Sequence, residues 1–209
     1  QKETFSLLGP VVGRLPKIKD EIEWKRASRT FVRLLPDLWE GISGKTGKIK
    51  IEKLAIDIVL EAKNRDPVHA AELFISFREV LRNQRMNGEL DAGTDVPVGE
   101  LMRPAKYLRD LLQILPAESF SSMGTILQRK LSEFTSLTGE EIFTNISLTN
   151  GTAEIMRYPV IVREKMIDCF VEAGLLTKGK RGKLSLTKRA IDMNGLRFED
   201  LQTALMASD

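Results

Sequence analysis

The chain has 209 residues, 32 of them Lys or Arg and 29 Asp or Glu, giving a formal net charge of +3. That length holds one full core or two small domains, and a composition of 42% apolar and 29% charged residues excludes a disordered or fibrous chain. No apolar run approaches the roughly 18 residues of a membrane span. The single cysteine, Cys169, excludes an internal disulfide framework and fits a reducing compartment. The single histidine, His69, argues against a histidine-built metal site or a catalytic triad. The start at Gln1, with no signal-like segment, predicts a piece of a longer protein.

The first half reads as helices. Over residues 20–35 the positions Ile22, Ala27, Thr30, Phe31 and Leu34 recur at helical steps beside Trp24, and Pro36 is expected to interrupt the run. A short continuation over 37–42 meets a turn at 43–47. Ile51, Leu54, Ala55, Ile58 and Ala62 then form a stripe ending near Asn64. Asp66-Pro67 supplies an N-cap and a proline at the first helical position, and the next helix, running to about Arg85, carries Ala70, Phe74, Phe77, Val80 and Leu81 inward.

Residues 87–97 are turn-rich and nearly free of apolar side chains, the best linker in the chain. Two connecting helices occupy 98–137, the first broken or restarted at Pro104. Thr138 and Glu141 have capping-box spacing and open a short helix. Asn150-Gly151 admits two readings, a tight hairpin or a short helix over 152–157, and the helix better suits the helical run after Pro159. Residues 160–173 form that run, with Val162, Met166, Cys169, Phe170 and Ala173 apolar, and Gly174 stands where a left-handed cap belongs. Strands over 175–177 and 183–187 flank the turn Lys178-Gly179-Lys180-Arg181-Gly182. Helices starting at Lys188 and Phe198 complete the chain. The fold class is therefore mainly α: a helical region over 1–86, a linker, connecting helices, and a distinct unit over 138–209.

The order helix, strand, basic turn, strand, helix, spelled Phe170-Val171-Glu172-Ala173-Gly174-Leu175-Leu176 and Leu184-Ser185-Leu186-Thr187, resembles the winged helix-turn-helix superfamily. The resemblance covers residues 138–194 and leaves the first 137 without a family likeness. It implies that the helix over 160–173 faces the DNA major groove and that the wing lies along phosphates or the minor groove. The wing suits phosphate: Lys178, Lys180, Arg181, Lys183, Lys188 and Arg189 are six cations within twelve residues, with no acid among them. Neutralising phosphates releases condensed counterions, the main affinity term for duplex DNA. The helix offers only Arg163 and Lys165 as base-reading donors, and Glu164 and Asp168 oppose phosphate, so weak base discrimination is expected.

Other motifs carry less. Gly44-Lys45-Thr46 resembles the end of a P-loop, but Trp39 stands where the first glycine is required. Lys45, Lys48, Lys50 and Lys53 form a secondary basic patch. His69 and Cys169 have nothing to bring them together as a catalytic pair, and one Cys with one His cannot build a zinc site. Asn145-Ile146-Ser147 and Asn150-Gly151-Thr152 match the glycosylation pattern, which chance explains in a chain with these features. No cofactor or metal is expected.

The function expected is non-enzymatic binding of double-stranded DNA, alone or as the DNA-binding subunit of a larger assembly. The location expected is cytoplasmic, nucleoid-associated or nuclear. The N-terminal helices, which hold most of the aromatic residues, are expected to mediate self-association or protein contacts. The competing reading is a structural adaptor. Helical arrays capped by a winged helix also occur in the scaffold subunits of large complexes, where the wing makes protein contacts.

Overall fold

The computed structural model describes residues 13–40, 45–86, 104–144, 146, 150–193 and 195–207, and within its helices it leaves aside the side chains of 36–40, 45–54, 80–86, 104–107 and 150. The chain is mainly helical and divides into two compact units, Gln1–Met102 and Arg103–Asp209. The linker expected over 87–97 lies outside the described residues.

In the first unit a short 3-10 turn at Leu15–Lys17 precedes helices α1 (Glu21–Glu40), α2 (Lys45–Arg65) and α3 (Pro67–Met86). Helix α3 packs on both of the others. It begins as its sequence dictates: Asp66 Oδ1 accepts from the amides of Val68 and His69, each at 3.0 Å, and Pro67 fills a first position that needs no donor. Three expectations are corrected. Helix α1 runs through Pro36 instead of stopping there; the proline removes one backbone hydrogen bond, which the burial of Phe31, Val32 and Leu35 just before it offsets. The buried face of α1 is Trp24, Ser28, Phe31, Val32 and Leu35, while Ile22 and Leu34 are 73% and 49% exposed. Helix α2 starts at Lys45, so Lys45 to Gly47 are helical rather than a turn. Ala55, Ile58 and Ala62 are buried as their spacing predicts.

The second unit comprises α4 (Pro104–Ile114), α5 (Ala117–Glu133), α6 (Gly139–Ile142), α7 (Asn150–Arg157), α8 (Val160–Glu172), β1 (Leu176–Lys178), β2 (Leu184–Leu186), α9 (Lys188–Asp192) and α10 (Phe198–Met206). Helices α4 and α5 belong to this unit. Helix α5 packs against α6, α7, α8 and β2, and the terminal α10 closes the core on α4, α5 and α8. Phe120, Met123, Ile126, Leu127, Met166, Phe170 and Leu205 are fully buried. Helix α5 ends at Glu133, short of the 137 expected, and Phe134 just past it is 51% exposed. Gly124 is required by a close approach. A β-carbon there would collide with the carbonyl oxygen of Leu196, whose amide donates to Gln128 Oε1 one turn further along α5 at 3.2 Å. The segment leading to α10 is thereby laid flat on α5.

The sequence Asn150-Gly151 opens α7 rather than a hairpin. Thr138 caps α6 in a complete capping box, its hydroxyl accepting from Glu141 N while Glu141 Oε2 accepts from Thr138 N.

Candidate nucleic-acid interface

Helix α8 ends by chain chemistry. Gly174 adopts φ 68°, where an L side chain would be strained. The amides of Gly174 and Leu175 return to the carbonyls of Val171 and Phe170, a Schellman closure that turns the chain into β1. The wing strands pair antiparallel with Leu176 opposite Leu186, Thr177 opposite Ser185 and Lys178 opposite Leu184. The first strand is one residue later than its apolar pattern predicts. Leu137 adds a separate antiparallel bridge, exchanging both backbone hydrogen bonds with Leu184 at 2.7 and 3.1 Å. Leu184 is buried, whereas Ser185 and Leu186 are both half-buried, so Leu184 and Leu176 are the strand residues that anchor the hairpin on the core.

The wing's base is fastened by Thr187. Its amide donates to Leu175 O at 3.1 Å, its hydroxyl lies 2.9 Å from Gly174 O, and the same oxygen accepts from Ala190 N at 3.2 Å to cap α9. At the tip, Gly179 N donates to Lys183 O at 2.7 Å. Arg181 and Gly182 both take positive φ, 59° and 72°. The left-handed turn thus falls on one arginine and one glycine, while Gly179 stays at φ −89°.

The six wing cations divide into two sets. Lys178 Nζ lies 3.4 Å from Asp168 Oδ1 on α8. Lys180, Arg181, Lys183, Lys188 and Arg189 are exposed and make no ion pair among the described residues.

The base-reading donors expected on α8 are placed differently. Arg163, expected on the exposed face, is half-buried, with its guanidinium carbon 4.5 Å above the Phe143 ring and Nη1 3.6 Å from Met156 Sδ. Burial pushes its pKa down, with Glu164 opposing, and its Nε has no hydrogen-bond partner. A flat cation covers an aromatic face favourably, and that attraction turns the side chain inward. Lys165 is engaged by Asp168 Oδ2 at 3.3 Å. A groove of about 450 Å³ between α6, α8 and the wing is lined by Glu140, Glu164 and Asp168 as well as Lys165, Lys178 and Arg181. Its charges balance.

The remaining candidates resolve simply. The basic patch Lys45, Lys48, Lys50 and Lys53 falls on the first turns of α2, where only the backbone is described. His69 lies in the first unit and Cys169 in the second. The Cys169 thiol is fully buried, and that burial, with Asp168 adding to it, pushes its pKa up. Thr152 of the second glycosylation pattern is buried, and Asn145 lies outside the described residues. Among the described residues no cluster of three His, Cys, Asp or Glu side chains is placed to hold a metal, and no helix is long and apolar enough to cross a membrane.

One arrangement is invisible in the sequence. Ser28 Oγ lies 2.7 Å from His69 Nε2, and His69 Nδ1 lies 3.1 Å from Glu72 Oε2. Glu72 is clamped in turn by Arg29 Nε and Nη2 at 3.0 and 2.8 Å. The order matches a hydrolytic triad, but Ser28 is 0% exposed and His69 2%, and Ser28 Oγ also lies 2.9 Å from Trp24 O. No substrate reaches this hydroxyl; the network ties α1 to α3. Comparison with protein-family models, with curated proteins and with solved structures finds no match for the chain.

Proposed function

We propose that this chain is a non-enzymatic binder of double-stranded DNA, alone or as the DNA-binding subunit of a larger assembly, gripping phosphates through the wing and the start of α9. The winged helix-turn-helix resemblance supplies the context, and a nucleoid or nuclear location would follow from the partner. One observation carries the reading: Lys180, Arg181, Lys183, Lys188 and Arg189 are exposed together and carry no ion pair among the described residues. Cations clustered with no acid between them in the chain raise a positive field that attracts a polyanion and releases its counterions on contact. Titration with labelled random-sequence duplex at several salt concentrations tests it. With three to five phosphates contacted, log affinity should fall against log salt with a slope of about −3 to −4.5. A slope near zero, or no binding at low salt, removes the reading.

The adaptor reading keeps one specific support, at the first unit. Ile22 and Leu34 on α1 and Ile56 and Leu60 on α2 are 73%, 49%, 39% and 55% exposed, and Ile56 and Leu60 are four apart on one helix face. Self-association through these helices should give a dimer in sedimentation at high concentration. A monomer there removes this contact.

A further inference from the structure

We infer that Asp168 is an internal competitor of the DNA phosphates: bridging Lys165 and Lys178 in the groove between α8 and the wing, it holds Lys178 out of the grip and limits affinity. This rests on the DNA-binding reading above and concerns what regulates the same site. Lys178 stands apart from the other wing cations. Two residues along β1 from Leu176, it shares that residue's face, and Leu176 is buried. It also lies opposite Leu184, which is buried too. That face looks onto the groove, which Lys178 and Leu184 line together with Glu164, Lys165 and Asp168 of α8. There the Asp168 carboxylate takes Lys178 Nζ on one oxygen at 3.4 Å and Lys165 Nζ on the other at 3.3 Å.

Two ammonium groups converging on one anionic group are the setting that a phosphate oxygen would also seek. Asp168 already fills it. The wing does not need this pairing for its position. The hairpin is held by its strand pairing, by the bridge between Leu137 and Leu184, and by Thr187. The Lys178 and Asp168 side chains are 52% and 31% exposed, surroundings in which an ion pair stabilises a fold little. Its effect falls on the ligand instead, because a phosphate reaching Lys178 must first displace Asp168. Removing the carboxylate charge leaves Lys178 to the duplex. One further phosphate contact adds about 0.9 to the salt slope, which is about eightfold in affinity at 0.1 M salt.

The test measures binding of random-sequence duplex across a salt series by the wild-type chain and by Asp168→Asn, Lys178→Gln and the double variant, with circular dichroism verifying that each folds. Asp168→Asn should bind about eightfold more tightly than wild type at 0.1 M salt, with a slope steeper by about 0.9. Lys178→Gln alone should stay within about twofold of wild type, because Lys178 is already held. In the Lys178→Gln background the gain from Asp168→Asn should fall below about threefold. A gain below threefold in Asp168→Asn itself, or a loss, overturns the inference. A gain that survives at threefold or more in the double variant overturns it as well, since the effect would then not act through Lys178. A loss beyond twofold in Lys178→Gln means that Lys178 already grips phosphate, and that result decides the matter even if Asp168→Asn fails to fold. None of these outcomes touches the DNA-binding reading. Absence of wild-type binding at low salt is a different signature; it overturns that reading and this inference with it.

Discussion

Replacing Lys180, Arg181 and Lys183 together with Glu should lower affinity for duplex DNA by about 10²–10³-fold at 0.1 M salt. The magnitude comes from counterion release. Each phosphate contact contributes about 0.9 to the slope of log affinity against log salt, so three lost contacts remove about 2.7 from it. The slope should flatten to between about −0.3 and −1.8 as the affinity drops, and by the same amount on unrelated sequences. The fold should survive. All three side chains are exposed at the hairpin tip, where surface changes fall within about 0.5 kcal/mol. The left-handed position of Arg181 is no worse for Glu than for Arg. Strand pairing depends on the backbone hydrogen bonds among Leu176, Leu184, Leu186 and Leu137, which the substitutions do not touch. Fluorescence anisotropy across a salt series reads both quantities. A folded triple variant with wild-type affinity and slope would move the wing from DNA to the protein contacts of the adaptor reading.

The second large effect is expected in the first unit and is pH-dependent. Burial alone would push the Glu72 carboxyl up, but His69 and the Arg29 guanidinium beside it hold it down, to about 2 from an ordinary 4.5. A carboxylate held below its unfolded value stabilises the native state above the unfolded pKa, and loses that contribution as pH falls through the folded one. Here the contribution is about 3 kcal/mol at neutral pH, lost between about pH 5 and pH 2. Glu72→Gln should therefore cost about 2–3 kcal/mol at pH 7, and the gap between variant and wild type should close near pH 2. Urea unfolding of the whole chain monitored by tryptophan fluorescence isolates the effect, because both tryptophans, Trp24 and Trp39, lie in the first unit. Equal stability of variant and wild type at pH 7 would mean that the clamp contributes nothing.

Local chemistry made much of this protein legible before any coordinates. Asp66-Pro67 specifies a helix start because one side-chain oxygen satisfies two orphan amides, as it does at Val68 and His69. Thr138 and Glu141 specify another by reciprocal capping. Gly174 specifies a helix end because few other residues tolerate its positive φ. The wing was legible from alternation between turn residues, and the charge at its tip from the residue types alone. In each case the interacting groups lie within a few residues of one another, so sequence spacing is nearly distance.

What the sequence left open was settled by partners far along the chain. The inward face of α1 is chosen by Trp24 and by Ser28, whose partner His69 is 41 residues away; helical spacing permitted a stripe through Ile22 and Leu34 equally well. Arg163 has the spacing of an exposed donor, yet Phe143, twenty residues earlier, lies beneath its guanidinium. Lys178 belongs to the wing by sequence and to α8 by its pairing with Asp168. Periodicity says that a residue lies on a face. Only the packing of elements against one another says which face is inward and which charges already have partners. The sequence alone determined a mainly helical chain ending in a basic two-stranded wing; the tertiary structure decided which of its cations remain free.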